Sequence, residues 1–380
     1  MKNNNFNVLN IADIHFGKKN DKKLYNDLNE NFLKEIPNII KEYDHLNMVV
    51  IEGDLFDRVI KMTEASANYV LRFVTELCEL SKKYNFYLRI INGTKSHDNN
   101  QLNNFSHLEV KYPLFKIFRT VSTEIISIPV GKNKVYDYSI LYLPEEYPEN
   151  YSSYYNKFLN PEENYDMIFG HGMIDFVAFT GNEEDKKKLK RNESVHSVDA
   201  LDNICNYFTI FGHIHDKKNY KDEDKIIYVG SFERFSFADQ EDKGFLLTTI
   251  NPETGDTEAI FYENKNASVY KIININDYNF ETTEEKLEFI ENEKTTCDYL
   301  KVIISKDEDN KDLLKGVLSS DIKIETHNDI PEDVVDERFN FLFKKELPID
   351  KSIAKYIELT TGKKVSTEVI NKLISNADSV

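Results

Sequence analysis

The sequence predicts an α/β (α+β) protein: a mixed β-sandwich core flanked by helices, followed by a small α+β unit and a helical tail. Three observations carry this. Short apolar runs rich in β-branched and aromatic residues recur through the first 230 residues and read as buried strands. Between the first three runs, apolar residues spaced three and four apart mark crossover helices. The later runs follow one another more closely, which suits a mixed sheet or sandwich.

In chain order, the strands are expected at Val8 to Ala12, Met48 to Ile51, Tyr87 to Ile91, Ile140 to Leu143, Met167 to Phe169, Tyr207 to Phe211 and Ile226 to Val229. The first crossover helix carries Leu28, Phe32, Ile36 and Ile39 on one face, and the second carries Val70, Phe73, Val74 and Leu77. This core is expected to span residues 1–264. A small unit over 265–330 then reads strand (Ser268 to Ile273), helix (Glu284 to Ile290), strand (Tyr299 to Ile304), helix (Leu313 to Leu318), strand (Ile322 to Thr326). The region 331–380 reads as helical. Ile353, Tyr356 and Ile357 share one helical face, and Val365, Val369, Leu373 and Ile374 share another beyond the Thr361-Gly362 break.

Composition narrows the class. With 380 residues, 40% hydrophobic side chains, 22 Tyr and 25 Phe, the chain can bury a large core, so its 30% charged fraction does not imply disorder. No run approaches the ~20 apolar residues of a membrane span, and neither a signal peptide nor an anchor is expected. Cys78, Cys205 and Cys297 are odd in number and lie outside any Cys-x-x-Cys pattern, which speaks against a disulfide framework or thiolate zinc site and suits a reducing cytoplasm. The net charge of −18 counts against a polyanionic ligand, unless divalent cations occupy an acidic site.

In open α/β sheets ligands collect beyond the carboxyl ends of strands, and here those ends are rich in metal-binding groups. The expected strands run into Asp13-Ile14-His15, Gly53-Asp54-Leu55-Phe56-Asp57, Gly93-Thr94-Lys95-Ser96-His97-Asp98, Gly170-His171 and Gly212-His213-Ile214-His215. Mixed carboxylate and imidazole donors suit Mn²⁺, Fe²⁺ or Zn²⁺, and a carboxylate such as Asp54 can bridge two ions. In Asp-x-His and His-x-His an extended backbone points both side chains the same way. One such residue at a strand end is commonly just a hydrogen-bonded core group; five in order are a pattern. His45, His107, His196 and His327 fall outside it and read as structural or solvated.

That order of elements resembles the calcineurin-like metallophosphoesterase superfamily and, within it, the SbcD-type nuclease subunits, over about residues 6 to 250. Gly230-Ser231-Phe232-Glu233-Arg234 and Lys243-Gly244-Phe245 add to the likeness with the nucleases. The resemblance implies a calcineurin-like core, a capping domain over 265–330 and a partner-binding tail. It also implies two divalent ions, with manganese the expected metal: one held by Asp13, His15, Asp54 and His215, the other by Asp54, His171 and His213. His97 matches the catalytic histidine, Asp98 would orient it, and Asp57 would support the ligands from behind. The implied activity is a DNA nuclease, exonucleolytic 3′ to 5′ on duplex ends and endonucleolytic on single strands. The implied partners are DNA, an SbcC-like SMC-type ATPase gripped by the tail, and a second copy of the chain.

One departure stands out. The family's Gly-Asn-His-Asp or Glu becomes Gly93-Thr94-Lys95-Ser96-His97-Asp98, with two extra residues, so that Ser96 takes the Asn position when counted from His97. A hydroxyl is a poorer ligand than an amide, so water, Asn92 or Asn99 completes the shell or the second ion is weakly held. Lys18, Lys19 and Arg234 are candidate phosphate contacts, as are Lys22, Lys23, Lys186 to Lys188, Lys190, Arg191, Lys217 and Lys218, although interspersed acids allow an ordinary solvated face. A small-molecule phosphodiesterase or phosphatase, or a non-catalytic scaffold subunit, are the alternatives; Asp57-Arg58-Val59 stops one residue short of the protein phosphatases' Gly-Asp-x-x-Asp-Arg-Gly.

Overall fold

A computed structural model describes residues 5–130, 134–176, 195–222, 225–305, 322–327 and Ser366. Contacts divide the chain into two units, the first comprising 1–271 with 296–299 and the second containing the described residues 272–295, 300–305 and 322–327.

The first unit holds two six-stranded sheets. In one, β1 (Phe6–Ile11), β2 (Met48–Glu52), β3 (Tyr87–Ile91) and β4 (Phe115–Phe118) are parallel neighbours, and the antiparallel strands Gly244–Ile250 and Thr257–Glu263 extend it beyond β1. In the other, β5 (Ser122–Val130) pairs antiparallel with β6 (Lys134–Leu143), which continues in parallel through β7 (Tyr165–His171), Cys205–Gly212 and Ile226–Tyr228, with Lys218–Asn219 antiparallel at the far edge. The first sheet's crossovers are α1 (Asp21–Leu28), running through a π-turn at Asn29–Leu33 into α2 (Glu35–Tyr43), and α3 (Ala65–Tyr84).

Strand alternation sorts side chains into layers. Along β1, Val8 faces a core between the sheets with Met48, Val50, Ile140, Tyr142, Met167 and Phe169, whereas Leu9 and Ile11 face a second core with Phe32, Ile36, Phe73 and Leu77 of the helices. A third core on the far face of the second sheet gathers Leu141, Ile168, Leu201 and Ile204. The layers are therefore helix, sheet, sheet, helix. Both faces of the central strands are buried, which explains why their sequences read as largely apolar runs. Buried polar residues such as Asn7, Asn10, Glu52 and Arg89 interrupt these runs, and the Asn10 amide donates to Thr248 Oγ1 at 3.0 Å.

Phe115–Phe118, Ser122–Val130, Gly244–Ile250 and Thr257–Glu263 are strands beyond those expected. Tyr270–Asn274, Tyr299–Ser305 and Ile322–His327 form a three-stranded sheet, and the helix Thr283–Lys294 lies in the second unit. The expected helix at Leu313 to Leu318, the tail helices and the basic run from Lys186 to Arg191 lie outside the described residues. Among the described residues, no helix is long and apolar enough to cross a membrane.

Candidate metal centre

The parallel strands of both sheets deliver their carboxyl ends to one edge of the sandwich. Asp13 follows β1, Asp54 follows β2, Thr94 and His97 follow β3, Glu145 follows β6, His171 ends β7, and His213 and His215 follow Cys205–Gly212. Donor atoms of Asp13, His15 and His215 lie within 4.8 Å of one another, as do those of Glu145, His171 and His213. Asp54 belongs to two further groups of the same size, one with His15 and His97 and one with Asp13 and His171, so its carboxylate stands between the clusters.

Backbone geometry at these positions is unusual. Asp13 (φ 50°), His15 (φ 55°), Asp54 (φ 48°) and His213 (φ 96°) all adopt positive φ, which non-glycine residues rarely do and which costs on the order of 1–3 kcal/mol each. The first two loops hold each other there: Asp13 N–H donates to the Gly53 carbonyl at 3.2 Å, His15 N–H to that of Asp54 at 3.0 Å, and Asp57 N–H to that of Phe16 at 2.9 Å. The His213 N–H donates to both oxygens of Asp13 at 3.0 Å, tying the two sheets together. A side chain at Gly53 or Gly212 would collide with the His171 ring, since a Cβ there would lie 2.3 Å or 2.8 Å from Nδ1. Only glycine admits the ring.

Hydrogen bonding also fixes which nitrogens face the cluster. His171 Nδ1 lies 2.7 Å from the Glu52 carbonyl, which can only accept, so Nδ1 carries a proton and Nε2 is aimed at Asp54, 3.3 Å away. His15 Nδ1 lies 3.4 Å from Asp57, and His215 Nδ1 lies 3.6 Å from Asp239. With those nitrogens protonated toward carboxylates, the Nε2 atoms of His15 and His215 confront each other at 3.0 Å. Two facing lone pairs beside the buried carboxylates of Asp13 and Asp54 make a set of donors that a divalent cation satisfies. The residues fit such an ion.

The electrostatics agree with a charged cluster. Burial would raise Asp54, but His171, His97 and His15 outweigh it and hold the carboxyl well below its usual range. Burial likewise opposes ionisation of Glu145, yet His213 and His171 bring it down to about 2. Asp57 falls to about 2 because His15 and Lys18 overcome its desolvation. Burial lowers His15 from its usual value.

Two expectations are corrected. Ser96 is exposed and belongs to none of the ligand groups. The Thr94 carbonyl accepts from the N–H groups of both His97 and Asp98, closing a tight turn that throws Lys95 and Ser96 outward. Thr94 itself enters the second cluster: its hydroxyl donates to Glu145 at 3.0 Å and lies 3.2 Å from Asp54 Oδ2, 3.4 Å from His171 Nε2 and 3.5 Å from His213 Nδ1. Counting from Gly93 rather than back from His97 would have found it. Asn92 donates to the Gly93 carbonyl and Asn99 is exposed. Second, Asp98 does not orient His97. Its fully buried carboxylate accepts from Phe56 N–H at 3.0 Å and Gly93 N–H at 2.8 Å, and burial with the neighbouring Asp54 pushes its acid up to about 7. His97 Nδ1 pairs instead with Asp54 Oδ2 at 2.7 Å.

Glu145 and Asp239 have no counterpart in the sequence reading. Glu145 stands two residues past the apolar run ending at Leu143, so the strand-end rule applied to that run would have flagged it. Asp239 lies in an irregular loop, where it accepts from Phe235 and Ser236 N–H groups while backing His215, and no local pattern marks it. The proposed phosphate contacts are otherwise engaged: Lys18 pairs with Asp57 at 3.1 Å, Lys19 sits over the rings of Tyr270 and Tyr299, and Arg234 lies 3.7 Å from Asp242.

No protein-family model matches this chain, and none of the curated proteins does. Among solved structures, it is similar to GAP50, the anchor in the inner membrane complex of Plasmodium, with 15% identity over 69% of this chain and 85% of that one and a TM-score of 0.41. It is also similar to the calcineurin-like phosphoesterase YfkN of Bacillus subtilis, with 11% identity over 70% of this chain and 92% of that one and a TM-score of 0.38.

Proposed function

We propose that this chain is a metal-dependent phosphodiesterase of the calcineurin-like kind, acting on DNA as an SbcD-like nuclease subunit. The observation that carries the hydrolase reading is the convergence of two carboxylate and imidazole clusters on a shared, buried Asp54. Asp13, His15 and His215 would hold one ion, His171 and His213 the other, with Asp54 between them. Two bound divalent ions polarise a phosphate ester, supply a nucleophile at neutral pH and stabilise the charge of an in-line displacement.

The chain's own residues prepare that chemistry. Asp57, Asp239 and the Glu52 carbonyl hold His15, His215 and His171 with Nε2 inward. His97, with its side chain 30% exposed at the rim, is placed to bind a phosphate oxygen or give a proton to the leaving oxygen. DNA as substrate, manganese as metal, a homodimer and an SbcC-like ATPase bound through residues 331–380 rest on the sequence resemblance alone. A cytoplasmic location rests on the odd, scattered cysteines Cys78, Cys205 and Cys297.

A small-molecule phosphodiesterase is the second reading, favoured by the engagement of Lys18, Lys19 and Arg234 within the protein and by the net charge of −18. The deciding experiment incubates the protein with end-labelled duplex DNA, single-stranded DNA and a nitrophenyl diester, each with Mn²⁺, Mg²⁺ or chelator. Metal-dependent DNA cleavage is expected. Hydrolysis of the diester alone would select the second reading, and no hydrolysis of any substrate would refute both.

A further inference from the structure

The second cluster has a composition that the resemblance does not supply. Where related enzymes are expected to offer a neutral amide, this chain places a carboxylate, Glu145, and a hydroxyl, Thr94. Glu145 Oε2 lies 3.3 Å from His213 Nδ1 and 3.6 Å from His171 Nε2, and its side chain is 7% exposed. Its other oxygen accepts from the Tyr147 hydroxyl, which fixes the rotamer that aims Oε2 at the two imidazoles. Thr94 is fixed as firmly, because its N–H donates to Asp54 Oδ1 at 2.6 Å while its hydroxyl reaches the same four donors.

We infer that Glu145 is an anionic ligand of the second ion and that Thr94, rather than an amide, supplies the neutral oxygen there, an assignment that rests on the two-metal reading above. The position makes sense physically. Ligand atoms of Glu145, His171 and His213 gather within 4.8 Å of one another, close enough to share one cation, and no lysine or arginine is paired to the buried carboxylate among the described residues. Counted from Gly93, Thr94 stands at the usual amide position with a shorter side chain, the two extra residues turn outward at Lys95 and Ser96, and the β6 terminus brings Glu145 to the same cluster from the other sheet.

The consequence concerns the metal. With Asp54, Glu145 and Thr94 the ligand set of the second ion offers three oxygens to two nitrogens and two negative charges, so it suits a harder ion such as Mn²⁺ over Zn²⁺ and binds it more tightly than an amide-bearing set would. The loss of the amide is thereby offset.

The test is Mn²⁺ stoichiometry and affinity by calorimetry, with electron paramagnetic resonance to detect spin coupling between paired ions, on the full chain. The wild-type protein is expected to bind two ions and show a coupled pair. Glu145→Ala should retain one ion and lose the coupling signal. Glu145→Gln, which restores an amide and keeps the side chain's shape, should hold the second ion roughly 10–100-fold more weakly. Thr94→Val should weaken the same ion, whereas Thr94→Ser should not. Melting curves establish that each variant is folded; should Glu145→Ala unfold, Glu145→Gln decides. Two ions bound with wild-type affinity in folded Glu145→Gln would overturn the assignment while leaving the two-metal reading standing. Fewer than two ions in the wild-type protein would overturn both.

Discussion

Replacing Asp54 by Asn removes one negative charge from the carboxylate that both clusters share, and its effect should exceed that of any unshared ligand. Asp54 takes part with Asp13, His15, His97 and His171, whereas His215 belongs to one group only. A ligand bound at a hundred times its dissociation constant stabilises the folded state by about 2.7 kcal/mol. Loss of both ions should therefore cost about 5 kcal/mol, and loss of one about half of that. At about 2 °C per kcal/mol for a unit of this size, adding saturating Mn²⁺ to stripped protein should raise the wild-type Tm by about 10 °C and that of His215→Ala by about 5 °C. Asp54→Asn should respond by little or nothing. Without metal, the Asn variant should melt lower than wild type, because it loses the charge that His171, His97 and His15 hold in place, so the Mn²⁺-induced shift rather than the absolute Tm is compared. The assay is differential scanning fluorimetry across a Mn²⁺ titration, starting from chelator-treated protein. If Asp54→Asn gains as much from Mn²⁺ as wild type does, Asp54 is not the bridge and the placement of the two ions around it is wrong.

Two further outcomes are expected. His196 is fully buried against Tyr151, and burial lowers it from 6.5 to about 4; the unfolded chain thus binds the extra proton first, so stability is whole above about pH 6.5 and falls as pH drops toward 4. This site should cost about 2 kcal/mol by pH 5, and urea unfolding of His196→Phe should show a correspondingly smaller loss between pH 7.5 and 5 than wild type; equal losses would disprove it. Removing the Asp98 carboxylate should strand the buried N–H groups of Phe56 and Gly93 at about 1–3 kcal/mol each. Chemical denaturation of Asp98→Ala should register a drop of roughly 2–5 kcal/mol, with Asp98→Asn, which keeps one acceptor, in between; a change below about 1 kcal/mol would show that those loops are held otherwise.

The central strands were legible because burial on both faces leaves runs such as Met48 to Ile51 continuously apolar, and the crossover helices because Val70, Phe73 and Leu77 repeat at helical spacing. Ser122–Val130 and Thr257–Glu263 were not, since they lie at sheet edges where exposed polar residues such as Thr123 and Glu258 dilute the apolar pattern. At the site, the motifs Asp13-x-His15 and His213-x-His215 announced themselves because both members sit in one short segment. Glu145 was harder, for its partners His171 and His213 are 26 and 68 residues away (171 − 145 and 213 − 145) and meet it only through strand pairing. Misplacing the neutral ligand at Ser96 came from treating an insertion as if it shifted the backbone uniformly. The structure absorbs the two residues in one turn and keeps the register from Gly93.

Because the ligands come half from one sheet and half from the other, the apolar layer between the sheets acts as a gauge block for the metal centre. Phe118 of β4 and Tyr142 of β6 stack across that layer with ring centroids 3.6 Å apart, and Met48, Met167 and Phe169 fill the space around them. Close-packed interiors respond to a single methylene, so a change of volume here would slide Asp13 and Asp54 against Glu145, His171 and His213 without touching any of them. The spacing of the two clusters is thus written into side chains that never meet a substrate, and a substitution deep in the sandwich can detune the edge where chemistry would take place.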